Sequence, residues 1–272
     1  MKRILITGAA GDVGRRITPL LAKTYNDIVL SDLKAPSGIA SNHSFIPADL
    51  ADMAAVSRAV QGIDAIVHLG GHSIEGTWDQ IQKANITGCY NLFEAARVAG
   101  VKRIVFASSN HAVGFYPRSE TIPPDVTTLP DSRYGVSKAF GEALGAMYAM
   151  KHGMSVTCLR IGNVGDRPLD ARRLAIWLHP EDLVQLIRIG FEHPEIVFEV
   201  FYGASDNKRA WWDNARARHF GYKPTHRSED HVAHAMAEQA KLGPDPVGDH
   251  YQGGTFCSAE FTGEYTGKRS KA

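Results

Sequence analysis

Cysteine is scarce in this chain: 3 among 272 residues, at Cys89, Cys158 and Cys257, far apart and outside any C-x-x-C spacing. An odd, scattered set excludes a disulfide framework and argues against a zinc site, so reduced thiols in a cytoplasmic setting and no metal are expected. An excess of either charge is lacking too. The 30 basic and 29 acidic residues leave a formal net charge of +1, which offers neither nucleic acid nor an anionic membrane a basic patch to hold. No apolar run reaches the roughly 20 residues of a membrane span, and the chain enters an apolar stretch at once, so neither signal peptide nor anchor is expected. Internal repeats and a clean linker are also missing. The length suffices for a full core in one domain with a small cap.

What the sequence does contain begins at Arg3. Ile4, Leu5 and Ile6 form a short apolar run suited to a buried parallel strand, and Thr7-Gly8 turn the chain before a helix-like segment starting near Asp12. Gly8, Gly11 and Gly14 allow a tight turn, close approach to a pyrophosphate and packing of the new helix on the sheet. The first helical amides, near Asp12 and Val13, favour bound phosphate. The G-x-x-G-x-x-G spacing is weak alone, but a second apolar run ends at Asp32-Leu33, roughly 20 residues on, where the acid of a dinucleotide fold meets the adenosine ribose. That acid disfavours a 2′-phosphate, a preference nearby Lys34 would soften.

The alternation continues. Asp49-Leu50 closes a short strand, with Asp49 facing adenine or capping a helix; Asp52 caps the helix defined by Met53, Val56 and Val60. Ala65 to Leu69 reads as a strand ending at Gly70-Gly71. Trp78 to Gly100 reads as one long helix, Arg103 to Ala107 as a strand delivering Ser108 to His111, Ser132 to Lys151 as a helix, and Ser155 to Ile161 as a strand. Pro19 sits awkwardly inside the first helix. The pattern predicts an α/β fold, a Rossmann-type doubly wound parallel sheet, with roughly residues 162–272 adding a small C-terminal cap to a single domain. Ligands of such sheets sit at the carboxyl ends of the strands.

Tyr134 and Lys138, at i and i+4 near a helix start, share one face. A tyrosine is a poor base at neutral pH unless a neighbouring ammonium favours its phenolate, and Ser109 from the preceding strand end could hold the substrate oxygen. In order, the glycine loop, Asp32, Asn85, Ser109, Tyr134 and Lys138 resemble the extended short-chain dehydrogenase/reductases. VHLGGHS (Val67 to Ser73), FASSNHAVGFYP (Phe106 to Pro117), YGVSK, WWDN and QGGTF are similar to the uronate dehydrogenases.

That resemblance implies NAD as cofactor and oxidation of the anomeric carbon of cyclic D-galacturonate or D-glucuronate to the aldarolactone. It implies Tyr134 as base, Lys138 as its electrostatic partner and ribose ligand, Ser109 as the orienting hydroxyl and Asn85 as support of the proton relay. Gly8, Gly11, Asp12, Val13, Gly14, Asp32, Leu33, Asp49, Leu50, Leu69, Gly70 and Gly71, with Asn85, Tyr134 and Lys138, would hold the cofactor. Ser73, Asn110, His111 and Asn163 would line the sugar pocket, with Phe256 closing the nicotinamide pocket or packing elsewhere. The carboxylate needs a cation; Arg172 is the choice because a guanidinium can bind it bidentately, and Arg173 is the rival. A sugar-nucleotide epimerase or reductase, or a non-catalytic NAD sensor, remain as alternatives. Gly141 and Gly145 on the Tyr134 helix allow close packing either between subunits of a homo-oligomer, as the wider family does, or internally.

Overall fold

The computed structural model describes residues 3–264. Seven strands, β1 (Arg3–Thr7), β2 (Asp27–Ser31), β3 (Ser44–Phe45), β4 (Ala65–His68), β5 (Arg103–Ser109), β6 (Ser155–Ile161) and β9 (Phe198–Gly203), form one sheet in the order β3-β2-β1-β4-β5-β6-β9. Every neighbouring pair is parallel. A separate two-strand piece joins β7 (Asn163–Val164) to β8 (Trp177–Leu178).

Alternation along each strand decides the layers. Ile4 and Ile6 point into a core with Ile17, Leu21, Leu183 and Phe191, whereas Leu5 points the other way, into a core with Leu92, Phe93, Phe106 and Tyr148. Both faces are buried, which is why the strands read as unbroken apolar runs. The first face is covered by α1 (Asp12–Leu21) and α7 (Pro180–Glu192), the second by α2 (Met53–Ala59), α4 (Gly88–Val98) and α5 (Arg133–His152). A third cluster joins Tyr202 on β9 to Val113, Tyr116 and Trp212 of the connecting segments and to Ile176 at the end of the short helix α6 (Arg173–Ile176).

Several local expectations hold with a physical reason. Asp52 caps α2 by accepting from the amides of Ala54 and Ala55, and Ser132 caps α5 by accepting from Gly135 N–H. Pro19 is tolerated because it is exposed in the last turn of α1, where few intrahelical hydrogen bonds remain to be lost. Gly141 and Gly145 face inward: a Cβ on Gly141 would collide with the Phe106 ring, and one on Gly145 would lie 2.9 Å from Val156.

The long helix expected from Trp78 to Gly100 is interrupted. After α3 (Trp78–Ile81), started by a capping box between Thr77 and Gln80, the chain widens into a π-helical segment, Gln82–Thr87, before α4. One wide turn re-aims a side chain without ending the helix. The re-aimed side chain is that of Asn85, buried within this segment. Beyond β6 the chain does more than cap: α7 and β9 return to the main sheet and complete it.

Candidate active site

The strand order reverses between β1 and β4, and the loops leaving these two strands part to form a cleft of about 550 Å³. Gly8 has φ +68, and a Cβ there would lie 2.7 Å from the Gly70 nitrogen, so the two glycine loops touch backbone to backbone. Gly14 lets α1 sit directly on the first loop, since a Cβ would lie 2.5 Å from the Gly8 carbonyl oxygen. Gly11 is the N-cap of α1 and offers no capping side chain, which leaves the amides of the first turn facing the cleft. Asp32 at the end of β2 accepts from Ala10 N–H at 2.9 Å and Leu33 N–H at 2.7 Å. Gly8, Gly11, Asp12, Val13, Gly14, Asp32, Leu33, Asp49, Leu50, Leu69, Gly70, Gly71 and Ser73 all line this cleft. An uncapped helix start, a fixed acid and glycine walls fit a dinucleotide. Asp49 also accepts from Ala51 N–H and pairs with Lys83, so its carboxylate is held at the rim.

Under the cleft floor, His68 bonds through Nδ1 to the Thr7 hydroxyl at 2.7 Å, and that hydroxyl accepts from Gly70 N–H. Burial, aided by the Lys138 charge, pushes His68 down to about 3, so the ring stays neutral.

Tyr134 and Lys138 rise from the first turns of α5, both nearly buried. Lys138 Nζ donates to the Ala107 carbonyl at 2.8 Å and stands 5.4 Å from the Tyr134 ring centre. Ser109 ends β5 and accepts from His111 N–H, starting the 3₁₀ turn Asn110–Val113. Asn85 ties cleft to helix: its side chain accepts from His72 N–H at 2.7 Å and donates to the His72 carbonyl and to Ser137 Oγ, which in turn donates to the Tyr134 carbonyl. These bonds reach Tyr134 only through Ser137 and the backbone.

The far wall is built from distant segments. His111 Nδ1 lies 2.7 Å from Asp131 Oδ2, and the ring stacks on Phe256 at 3.9 Å and meets Tyr134 edge-on at 5.8 Å. Burial lowers the His111 pKa, opposed by Asp131. Arg172 donates from Nε to the Gln252 carbonyl at 2.8 Å and, with the Asn110 amide oxygen turned towards it, from Nη2 at 3.0 Å. Among the described residues it has no ion-pair partner, and burial, reinforced by Arg173 and Arg118, pulls it down to about 10. Its rival Arg173 is already paired with Asp170. Asn163, half-buried on β7, makes no side-chain hydrogen bond among the described residues. Trp211 and Trp212 pack: one lies under Arg118, the other stacks on Tyr202 and donates to Gln252.

Sequence reasoning missed Asp131, Ser137, Glu75 and Gln252. Glu75 accepts from Tyr134 N–H at 3.0 Å and pairs with Arg133, a carboxylate at the start of α5. Gln252, fully buried, donates to the carbonyls of Pro117 and Glu120 and so anchors the tail that carries Phe256. Asp131 had one visible signal, an acid just ahead of the helix that bears Tyr134. A further trio, His179, Glu181 and His226, offers ligand atoms within 4.8 Å of one another, but the two imidazoles stack at 3.5 Å and His179 Nδ1 accepts from Glu181 N–H, so their lone pairs do not converge.

A parallel sheet with a dinucleotide cleft at its switch point and a tyrosine–lysine pair beside it defines the class, and the chain belongs to the NAD dependent epimerase/dehydratase family, whose model matches residues 4–178. Within it, the chain is 44% identical over 259 residues to the uronate dehydrogenase of Pseudomonas putida, covering 94% of this chain and 96% of that one. The structure of a glucuronic acid dehydrogenase from Chromohalobacter salexigens superimposes with a TM-score of 0.91 at 42% identity, over 94% of this chain and 97% of that one. A tyrosine-to-alanine variant of the uronate dehydrogenase of Agrobacterium tumefaciens, complexed with NAD, gives 0.90 at 43% identity, over 95% and 97%.

Proposed function

We propose that this chain is an NAD-dependent uronate dehydrogenase that oxidises the anomeric carbon of cyclic D-galacturonate or D-glucuronate to the aldarolactone. The observation that carries the reading is Arg172, a buried guanidinium without a carboxylate partner among the described residues, set in the wall that holds His111 and Asn110. A free uronate brings the missing anion.

The glycine loop and the amides of Asp12 and Val13 would hold the pyrophosphate, Asp32 the adenosine ribose, Asp49 and Leu50 the adenine side, and Leu69 to Gly71 the nicotinamide half. NAD, when bound, supplies the hydride acceptor. Ser109 holds the anomeric oxygen, Tyr134 takes its proton, and Lys138 steadies the phenolate. Asn85 supports this base through Ser137. Arg172 binds the sugar carboxylate, Asn110, His111, Ser73 and Asn163 its hydroxyls, and Phe256 covers the ring. Loss of one hydride and one proton turns the lactol into the lactone.

The same reading makes residues 1–272 one domain whose segments after about 162 shape the sugar pocket. It also makes the protein a cytoplasmic homo-oligomer. Three buried free cysteines fit a reducing compartment, and the exposed Tyr90, Val98 and Met150 on α4 and α5 fit a subunit contact. No helix among the described residues is long and apolar enough to cross a membrane. Proton NMR of the reaction with NAD and D-galacturonate tests the chemistry: a lactone signal preceding the open aldarate is expected, and the aldarate appearing first overturns the anomeric assignment.

A further inference from the structure

The Asp131 side chain is fully buried while the His111 side chain keeps 12% exposure. Asp131 Oδ2 meets His111 Nδ1 at 2.7 Å, Oδ1 accepts from the Ser132 hydroxyl at 2.7 Å, and the Asp131 amide donates to the His111 carbonyl. Room for this carboxylate is made by two glycines from different parts of the chain, since a Cβ on Gly114 or on Gly253 would collide with it. No lysine or arginine pairs with Asp131 among the described residues. It is therefore spent on orienting one imidazole rather than on neutralising a cation.

We propose that Asp131 is a positioning residue that holds His111 with its proton on Nδ1, so that the Nε2 lone pair faces the sugar pocket and accepts a hydrogen bond from one substrate hydroxyl. This deepens, and rests on, the reading of His111 as part of that pocket. An ionised carboxylate only accepts, so the shared proton sits on the imidazole, and Nε2 is the nitrogen without a hydrogen-bond partner among the described residues. Burial, helped by the nearby Arg172 charge, keeps the ring neutral against the pull of Asp131 and Glu75. Stacking on Phe256 and the edge of Tyr134 fix the plane in which Nε2 points. The consequence is a specificity rule: the hydroxyl at that position must donate, and a group that cannot donate is rejected.

The tautomer is read directly in the NAD-bound, 15N-histidine-labelled protein by long-range proton–nitrogen spectra. Expected for His111 are a protonated Nδ1 and a bare Nε2 at pH 7 to 8; the reverse pattern overturns the proposal. Kinetics with D-galacturonates carrying fluorine in place of the 2-, 3- or 4-hydroxyl give a second reading that needs no variant. One position is expected to lose at least tenfold in kcat/KM, and equal turnover of all three overturns the acceptor role. In Asp131→Asn the wild-type tautomer is expected to become mixed, with KM for uronate up about tenfold, KM for NAD within twofold, and no further loss for the sensitive fluoro sugar. An Asp131→Asn enzyme with wild-type tautomer and KM overturns the positioning role. A protein with the expected tautomer that oxidises no uronate contradicts the functional reading instead.

Discussion

Replacing Arg172 by methionine separates binding from stability. The guanidinium is held near 10 by burial and by its arginine neighbours, below its ordinary value. Protonation is therefore favoured more in the unfolded chain than in the folded one, so the charge lowers stability at every pH below about 10, by on the order of 3 kcal/mol. Arg172→Met removes that penalty but strips the Gln252 carbonyl of its donor, a loss of ~1–3 kcal/mol. The two nearly cancel. The unliganded variant should unfold in urea within about 1 kcal/mol of wild type, whereas an arginine acting as a structural brace would leave a much larger deficit. Uronate binding loses a charge-assisted hydrogen bond worth ~1.5–3 kcal/mol, so KM for galacturonate should rise about 10- to 150-fold. Affinity for NAD, whose cleft Arg172 does not line, should not change. Destabilisation by several kcal/mol, or an unchanged KM for galacturonate, would refute the assignment.

Three other perturbations test separate parts of the account. Tyr134→Phe should bind NAD with wild-type affinity by calorimetry yet lose ~10²–10⁴-fold in kcat, the range for removing a general base. Glu142→Gln breaks the buried pair in which Arg160 makes two 2.9 Å contacts to the carboxylate that also accepts from Ser108, and should cost ~3–5 kcal/mol in urea unfolding. His68 binds a proton in the unfolded chain near 6.5 but in the folded one only at about 3, so stability should fall as pH drops through that window. Between pH 7 and pH 5 this loss is ~2 kcal/mol, and His68→Asn should flatten the slope there.

The parts of the site legible in the sequence were those encoded over short spans. Glycine spacing with a following acid, and Tyr134 four residues from Lys138 on a capped helix, need only local geometry to be read. Asp131 showed only as an acid ahead of the Tyr134 helix, and its role stayed hidden because His111 and Gly253 meet it only after the chain has closed on itself. Gln252 was silent for the same reason, anchoring to Pro117 and Glu120 across nearly half the chain. The π-helical turn around Asn85 left no mark, since its residues have the same composition an α-helix would accept. Nothing local separated Arg172 from its rival Arg173, since both carry a guanidinium; the fold supplies the difference, because Asp170 occupies Arg173. Gly141 and Gly145 permitted either an interface or internal packing, and the Phe106 ring beneath Gly141 decides for the latter.

The central claim is that an unpartnered buried cation makes this fold select a free sugar acid. Its most direct test is NADH absorbance with NAD and, in parallel, D-galacturonate, D-glucuronate, D-galactose, D-glucose and UDP-glucuronate. Reduction with the two free uronates and with none of the others is the result expected. Equal reduction with the neutral sugars, or reduction with the nucleotide sugar alone, would contradict it.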